Sequence, residues 1–265
     1  MTVIRRATTS PPDQSTGVAP GPGVVLPDGL RPGGIRSSAA EDPHLRTALV
    51  AVVETARCCV GGCAEATVTA VVDGKPVTLA ATEAFVVELD CFQYEIGEGP
   101  CIDAVRVGRT VRAEFLTDGA RYPIFGPRAL TVDVVGTLSE PLESEGTVLG
   151  SINLFGRTSD ALDGGTLRPA RLLATQASAA VAAAVVRDDL RRKVAQLEQA
   201  LESRDVIAQA KGILMLQSGV GPDEAFSLLV KASQRENRKL RDIAQEIADR
   251  TRQGGSGGRR SGGTG

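Results

Sequence analysis

Hydrophobic positions change period along the first half of the chain, and each change marks a predicted element. Apolar residues recur at helical spacing through 43–56, directly after Asp42, whose side chain suits the start of a helix. The period then shortens over 65–82, on both sides of the turn pair Asp73-Gly74. This pattern predicts a helix followed by a β-hairpin.

The elements that follow complete an α+β pattern. A helical stretch near 83–94, a loop "GEGPC" and a short helix over 101–107 precede the strand "TVRAEF". Two further β stretches, "VVGTLSEPL" and "TVLGSINLF", lie on either side of Gly146, and a long helix begins near Thr166. Helices that flank an antiparallel sheet over 42–186 predict an α+β module of ordinary domain size.

The long helix continues past this module with an apolar seam. The seam residues recur at steps of three and four: Ala179, Ala183, Val186, Leu190, Val194, Leu197 and Leu201. This spacing is typical of a coiled coil. We therefore expect a coiled-coil linker over 187–202, continuous with the last helix of the module, in which Leu190, Val194, Leu197 and Leu201 form the seam of a parallel homodimer. A single helix packed on its own domain is the alternative.

Three shorter helices are predicted within 203–252. The first covers 203–217, the second opens at Gly221-Pro222, and the third starts near Asn237, which is expected to cap it. One face of each helix is apolar, which predicts a small all-α bundle with this core: Val206, Ile207, Ala210, Ile213, Leu214, Ala225, Phe226, Leu229, Ala232, Leu240, Ile243, Ala244 and Ile247.

Composition sets off the two ends of the chain. The Pro- and Gly-rich residues 1–41 predict a disordered tail, and the Gly-rich residues 253–265 predict a flexible one. Five cysteines, an odd number without a paired framework, favour a reducing cytosol. No secretory segment is visible near the start, and the longest small-apolar run, 177–186, is about half of a membrane span. We expect a cytoplasmic protein without a membrane partner.

Charge is divided unequally between the modules. Residues 42–186 carry 11 Lys and Arg against 18 Asp and Glu, whereas 203–265 carry 11 against 7. The basic second module favours a polyanion as partner, although chance clustering of charges gives the same count. Aromatic residues make up only 3% of the chain, so a recognition surface of many stacked rings is not expected.

The first helix of the predicted bundle carries a basic stripe. Arg204 and Lys211 continue the seam after Leu201, so the seam changes from apolar to basic. Like charges that face each other across a dimer repel, which predicts that the helices splay and present two basic stripes. Gly212 costs about 1 kcal/mol relative to Ala inside a helix. That cost predicts close approach by another backbone, from a packed helix or a nucleic-acid strand.

A second basic group surrounds the start of the third predicted helix. It consists of Arg235, Arg238, Lys239 and Arg241. The free amides and the positive dipole end of a helix start favour a phosphate there. A solvated charged face is the alternative interpretation.

Few residues suggest catalysis or metal binding. Cys101 directly follows "GEGP" at a helix start, where the dipole lowers a thiol pKa, so it is a candidate redox or ligand sensor, with a small buried residue as the alternative. Cys58, Cys59 and Cys63 lack the C-x₂-C pairing and a fourth ligand, so no metal site is predicted. "GEGP" lacks the Lys of a phosphate loop, and His44 is the only histidine. We expect no catalytic residues and no enzyme.

The C-terminal module resembles an ANTAR domain. The resemblance rests on "SRDVIAQAKGILM", "DEAFSLLVKAS" and "NRKLRDIAQEI", which cover about 50 residues. It implies a three-helix RNA-binding module that works as a dimer on paired stem-loops of nascent transcripts and favours an antiterminator over a terminator. Carried over by position, it implies that Arg204, Lys211, Arg238 and Lys239 face RNA, and that Asn237 is a cap that also contacts a base. With Arg241 from the basic group, these are the RNA-binding candidates.

The first module resembles the GAF sensor domains that precede ANTAR domains in actinobacterial regulators. The resemblance rests on "FQYEIGEGPCIDAV", "YPIFGPRA" and "LGSINLF"; "RYPIF" departs from it where such domains often carry Trp, and we expect only a packing change. It implies a fold that binds small ligands in some relatives, including cyclic nucleotides, haem and bilins. Because His44 lies on the entry helix, an internal haem with a histidine ligand is not expected, and the cofactor stays unknown.

Together these features predict a regulator of transcription antitermination. A GAF-like module senses a small-molecule ligand or a signalling protein, and a helical linker passes the signal to an ANTAR domain that binds tandem RNA stem-loops. Two alternatives stay open. The third helix of the bundle would serve a DNA-binding transcription regulator, or the bundle would only dimerise a GAF protein that acts through protein partners.

Overall fold

The computed structural model of the chain describes residues 34–116 and 119–256. It divides into two compact units, Met1–Arg187 and Asp188–Gly265, each with its own apolar core. Both predicted tails lie partly outside the described residues. These parts are 1–33 of the predicted disordered tail and 257–265 of the predicted flexible tail.

The first unit contains an antiparallel sheet in the spatial order β2-β1-β5-β4-β3. Its strands are β1 Glu65–Val72, β2 Lys75–Ala81, β3 Val111–Glu114, β4 Gly136–Ser144 and β5 Thr147–Gly156. Asp73 and Gly74 have φ angles of 47° and 80°, and Glu145 and Gly146 have 51° and 75°. Two consecutive positive φ angles characterise the type I′ turn of a two-residue hairpin, which Asp-Gly favours. The predicted strands and hairpins are confirmed.

Helices cover both faces of this sheet. They are α1 Ser37–Ala40, α2 Pro43–Cys59, α3 Ala84–Ile96, α4 Pro100–Val107, α5 Phe125–Leu130 and the first part of α6, Leu167–Ser218. The Asp42 carboxylate accepts a hydrogen bond from the His44 amide at 2.9 Å, which confirms the predicted cap of α2. The six residues of α5 include Gly126 and Pro127 and give no periodic signal, so this helix is absent from the sequence-based expectation.

The two faces have different interiors. On one face α2 and α6 pack an aliphatic core against the sheet, with Leu49, Val53, Val68, Ile152 and Leu154 almost inaccessible to solvent. The opposite face combines an aromatic cluster, in which the rings of Phe115 and Phe125 meet edge to face at 5.4 Å, with a row of polar side chains. Because both faces are covered, β1 is buried along its whole length.

Order begins before the predicted boundary at residue 42. Ile35 is 2% exposed, and its amide donates to the carbonyl of Val71 at 2.8 Å. The amide of Asp73 donates to the Ile35 carbonyl at 2.9 Å, so this short segment lies against the β1–β2 hairpin. The prediction of disorder is wrong for 34–41, because the two apolar residues that dock there, Ile35 and Ala39, follow a Pro- and Gly-rich segment and form no detectable period.

Helix α6 runs from Leu167 to Ser218 without a break at the predicted boundary between linker and bundle. Its first part belongs to the aliphatic core through Ala170, Leu173, Ala174, Ala177, Val181 and Ala184. By length and composition alone, Gly164–Ser218 qualifies as a membrane span, with a mean hydropathy of 1.3 in its most apolar window. Buried core helices pass the same test, so this property supports a membrane span only weakly.

The second unit combines the end of α6 with α7 Pro222–Glu236 and α8 Leu240–Ser256. Ala210, Leu229, Ile243 and Ala244 are buried at its centre, and Val206, Ile207, Leu214, Ala232, Leu240 and Ile247 pack around them. This cluster confirms most of the predicted three-helix core, but it does not include Ile213, Ala225 or Phe226. Helix α8 continues through Ser256, beyond the predicted end of the bundle at residue 252.

Asn237 ends α7 and does not cap α8. Its backbone is left-handed, with φ 50° and ψ 43°, and its amide donates to the Gln234 carbonyl at 3.4 Å. Helix α8 begins at Leu240, where the amide of Ile243 donates to the carbonyl of Lys239 at 3.3 Å. The predicted cap is wrong because Asn suits both a helix start and a left-handed helix end.

Candidate nucleic-acid interface and buried polar site

The predicted RNA-binding residues fall into two places on the second unit. Arg204 is exposed and Lys211 is half-buried on α6, on the turns that flank the buried Ala210. Asn237, Arg238 and Lys239 form the exposed connection between α7 and α8, and Arg241 lies in the first turn of α8. The helix core therefore leaves all six side chains at least partly open to solvent.

The cations among these residues differ in their partners. Arg238 donates to the carboxylate of Glu246 at 2.7 Å and to that of Glu236 at 3.2 Å, and the hydrogen bond to Glu246 raises the pKa of Arg238 further. Arg241 lies 3.5 Å from a carboxylate oxygen of Asp242. Within the described residues, Arg204, Lys211 and Lys239 have no ion pair. Their charge is available to an anionic ligand without breaking an ion pair of the protein.

Gly212 lies on an open stretch of α6. A Cβ atom added to Gly212 would meet nothing within 4 Å, and Leu216, one turn later, is 88% exposed. Within the described part of the chain, no packed helix lies against this glycine, so the predicted close approach of a helix from the same chain is not observed. Phe226, predicted in the bundle core, is 42% exposed. That prediction is wrong because Ala225 and Leu229 already fill the inward face of α7.

The predicted dimer seam is exposed in the single chain. Leu190, Val194, Leu197 and Leu201 are 55%, 51%, 65% and 61% exposed. Large aliphatic side chains at these positions leave apolar area in water, at a cost of about 25 cal/mol for each Å². The seam therefore has the composition and the exposure of a surface that another apolar surface would cover.

A polar network fills the interior between the sheet and helices α3 and α4. Strands β1 and β5 contribute Thr67, Thr69, Ser151 and Asn153, and the helices contribute Asp90, Gln93, Tyr94 and Cys101, all buried. The Asn153 amide donates to the hydroxyls of Thr67 and Thr69 at 3.1 and 3.2 Å. The Tyr94 hydroxyl lies 2.7 Å from that of Thr69. Cross-strand register explains this grouping, since Thr67 pairs with Asn153 and Thr69 with Ser151.

Asp90 is the ionisable centre of this network. Its carboxyl group accepts hydrogen bonds from the Thr78 hydroxyl at 3.0 Å and from the Gln93 amide at 3.3 Å. Burial raises the pKa of Asp90 to about 7, although hydrogen bonds from Thr67 and Thr78 oppose the shift. The hydrogen bonds of Asp90 within the described residues come from neutral side chains, so no cation offsets the cost of burying its charge.

Cys101 belongs to the same network. Its sulfur lies 3.2 Å from the Ser151 hydroxyl, and its amide donates to the Gln93 side-chain oxygen at 3.1 Å. Burial, together with the nearby charge of Asp90, raises the pKa of Cys101 to about 12. This direction is opposite to the lowering expected from the start of α4, because desolvation of the thiolate outweighs the dipole of an eight-residue helix.

These environments predict an order of thiol reactivity. The exposed Cys58 and Cys59 should react with iodoacetamide first, whereas Cys63 and Cys101 are buried with raised pKa values and should react only when the protein unfolds. Mass spectrometry of peptides from native and denatured protein measures this order. Modification of Cys101 in the native protein at the rate of Cys58 would mean that the interior opens to solvent.

Two hydroxyls next to this network have no hydrogen-bond partner among the described residues. They belong to Thr137 and Ser139 on β4, and both residues are fully buried. Ser139 pairs across the strands with Asn153, so both hydroxyls lie on the polar face of the sheet. A buried unpaired hydroxyl costs roughly 1–3 kcal/mol, and such atoms often mark the place of an ordered water or a ligand.

Sequence reasoning missed this site. Its strand residues alternate with apolar ones, for example Thr67 and Thr69 around Val68, and such alternation usually indicates a solvated face. The signal that was available is the repetition of polar residues on three strands that the hairpins bring side by side.

Within the described residues, no metal cluster coincides with this network. No group of three or more His, Cys, Asp or Glu side chains suitable for a metal ion occurs among residues 34–116 and 119–256. An open groove of about 930 Å³ lies elsewhere on the first unit, between α6 and the end of β4. Its buried Glu140 is bonded by Thr110 and faces Arg171 at 3.4 Å, so the groove has no free buried charge.

Several solved structures are similar to part of the chain at low identity. A type II free methionine-R-sulfoxide reductase from Thermoplasma acidophilum is 16% identical, over 52% of this chain and 92% of that one, with a TM-score of 0.42. The GAF domain of a phosphoenolpyruvate-protein phosphotransferase from Coxiella burnetii is 19% identical over 57% and 90%, with a TM-score of 0.42. The blue-light-absorbing form of the Thermosynechococcus elongatus PixJ GAF domain is 15% identical over 62% and 96%, with a TM-score of 0.44. Such scores imply no shared activity, and no curated protein matches the sequence.

Two family models match the chain. Residues 195–247 match the ANTAR domain, and residues 43–182 match the GAF domain. Both are families of sensor and regulatory domains rather than catalytic ones. Since the GAF match covers more than half of the 265 residues, the protein belongs to the GAF domain family and carries an ANTAR domain after it.

Proposed function

We propose that the protein is a signal-responsive regulator of transcription antitermination in the cytoplasm. Its ANTAR domain binds paired stem-loops of nascent RNA, and its GAF domain controls that binding. The presence of both domains supports this function. The observation that carries the RNA-binding part is a set of three cations, Arg204, Lys211 and Lys239, that lack a carboxylate partner among the described residues, whereas Arg238 and Arg241 have one.

Charge neutralisation and hydrogen bonds together explain how such a surface would bind RNA. Lysine ammonium groups neutralise phosphates, and the ordered counterions that they replace return to solution. Loop bases that are splayed out of a hairpin present their edges to side chains such as Asn237. The positive φ of Asn237 holds its side chain at an exposed corner between α7 and α8.

Crosslinking the protein to RNA in its own cell and sequencing the recovered RNA tests this function directly. Recovery of tandem-hairpin leaders supports the function, and recovery of no RNA above background contradicts it.

The signal, in this proposal, enters through the polar interior of the GAF domain. The hydroxyls of Thr137 and Ser139, which have no partner among the described residues, and the buried carboxyl group of Asp90 offer hydrogen bonds to a small polar ligand. A ligand that satisfies them would replace part of the internal network and move α3 and α4 relative to the sheet.

The output, in this proposal, depends on two copies of the chain. The exposed seam on α6 pairs with that of a second copy, and the basic residues Arg204 and Lys211 follow it directly along the same helix. Two adjacent ANTAR domains then bind the two loops of one RNA element. The signal changes their spacing.

Substitution of Gly212 should stabilise the free protein but weaken its binding to RNA. A Gly212→Ala substitution meets no atom within 4 Å and should stabilise the free protein by about 1 kcal/mol, since Ala is the better helix former. If RNA approaches α6 closely here, the added methyl group should weaken RNA binding severalfold. Thermal unfolding and filter binding measure the two effects.

Gly221→Ala is the matched control for this substitution. Gly221 also meets no atom within 4 Å, but it precedes α7 and lies away from the basic stripe. Its substitution should leave RNA affinity unchanged. Equal RNA affinity of the Gly212→Ala variant and the unchanged protein would show that RNA does not contact this turn.

A further inference from the structure

The charged residues beside the α6 seam suit one arrangement of two chains. Lys193 directly precedes Val194, and Glu198 directly follows Leu197. Both side chains are exposed, and within the described residues neither has an ion pair in its own chain. In the seven-residue repeat of a coiled coil, these are the two positions that flank the apolar seam, and their charges select the partner and the orientation.

We infer that two copies of the chain pair through α6 in parallel and in register, with Lys193 of each chain opposite the partner's Glu198. This inference rests on the proposed dimer and specifies what fixes its geometry. In a parallel pair, the residue before one seam position faces the residue five positions later on the partner helix. Lys193 and Glu198 are five positions apart and opposite in charge, so the symmetric pairing places two such ion pairs on the two sides of the seam.

The apolar residues agree with this arrangement. Parallel pairing stacks Val194 on its own copy and Leu197 on its own copy, and a β-branched residue followed three positions later by Leu is the combination that favours two parallel strands. Antiparallel pairing would instead bring Glu198 opposite the partner's Arg191. Arg191 already interacts within its own chain, whereas Lys193 does not within the described residues. Charge and packing therefore both favour the parallel pair.

Charge reversal in the full-length chain separates the two orientations. Lys193→Glu and Glu198→Lys should each raise the dissociation constant of the dimer about tenfold, because two attractive contacts become repulsive. The double variant Lys193→Glu/Glu198→Lys should return to within about threefold of the unchanged chain. Sedimentation equilibrium at low ionic strength measures these constants, and circular dichroism confirms that each variant keeps its helix content.

The double variant Arg191→Glu/Glu198→Lys is the matched control. In the parallel pair this variant leaves Lys193 opposite a lysine, so its dimer should stay weaker than that of the unchanged chain. Recovery in this variant and not in Lys193→Glu/Glu198→Lys would establish antiparallel pairing and overturn the inference. Unchanged dissociation constants in all variants, or a monomeric unchanged chain, would overturn it too. These experiments contain no RNA, so a failure of the inferred pairing would not contradict the proposal that the ANTAR domain binds RNA.

Discussion

Replacement of both Lys211 and Lys239 by Ala should weaken binding to a paired-hairpin RNA by roughly ten- to a hundredfold at low ionic strength. Each lysine offers one phosphate contact that no carboxylate of the described chain competes for. The dependence of log K on log salt should also become shallower by roughly 1.4 for each protomer, since each lost contact on single-stranded RNA removes about 0.7. Fluorescence anisotropy with labelled RNA across a salt series measures both quantities.

Two controls isolate the contribution of these lysines. Lys75 and Arg46 are exposed on the GAF domain, so the Lys75→Ala/Arg46→Ala variant loses the same net charge at a distant place and should bind RNA almost normally. Both variants should unfold at the temperature of the unchanged protein, because none of the four side chains is buried. An Ala variant at Lys211 and Lys239 with unchanged affinity and salt dependence would remove these lysines from the interface.

An Asp90→Asn substitution should abolish a pH dependence of stability that originates in the GAF interior. The unfolded chain releases the Asp90 proton near pH 4, whereas the folded protein keeps it until about pH 7. Between these values the folded state binds more protons, so the free energy of unfolding falls as the pH rises. Above about pH 7 the loss is complete. Each unit of separation between the two pKa values corresponds to about 1.4 kcal/mol, so the effect is large.

The measurement compares urea unfolding of the variant and of the unchanged protein at several pH values between 4 and 8. The difference in unfolding free energy should shift steadily in favour of the Asp90→Asn variant as the pH rises to about 7, and then stay constant. Glu95→Gln, on the exposed side of the same helix, should show no such trend. A difference that does not change with pH would mean that Asp90 ionises normally in the folded protein.

The sequence predicts the parts of the fold that depend on local pattern. Asp42 caps α2 because its carboxylate can accept a hydrogen bond from a free amide at the helix start. Asp73-Gly74 forms a hairpin turn because few other residue pairs accept a positive φ angle at both positions. The inward faces of α6 and α8 follow from helical period alone. These are the elements for which neighbours along the chain determine the conformation.

Features that depend on distant contacts escape such reasoning. The docking of Ile35 on the hairpin, and the burial of the polar residues around Asp90, follow from what the sheet brings together. Cys101 shows the same limit: its place at a helix start predicts a lowered thiol pKa, but burial of its side chain between α4 and the sheet raises that pKa. The predicted role of Asn237 as the cap of α8 is wrong for a different reason, since an asparagine suits both the start and the end of a helix.

The RNA-binding candidates were predicted mostly by resemblance and refined by contacts. Position alone gives equal weight to Arg204, Lys211, Lys239, Arg238 and Arg241. The ion pairs of Arg238 with Glu236 and Glu246 indicate that this arginine would have to exchange protein contacts for RNA contacts. We therefore rank Arg204 and the two lysines first.

The central proposal is that the ANTAR domains of two chains bind folded RNA. The most direct measurement is equilibrium binding of the purified full-length protein to an RNA with two tandem hairpins at low ionic strength, with a duplex DNA of equal charge as competitor. The proposal predicts tight binding to the RNA that the duplex displaces only at large excess. Preference for the duplex, or no binding to the tandem hairpins by a protein shown to be folded, would contradict it.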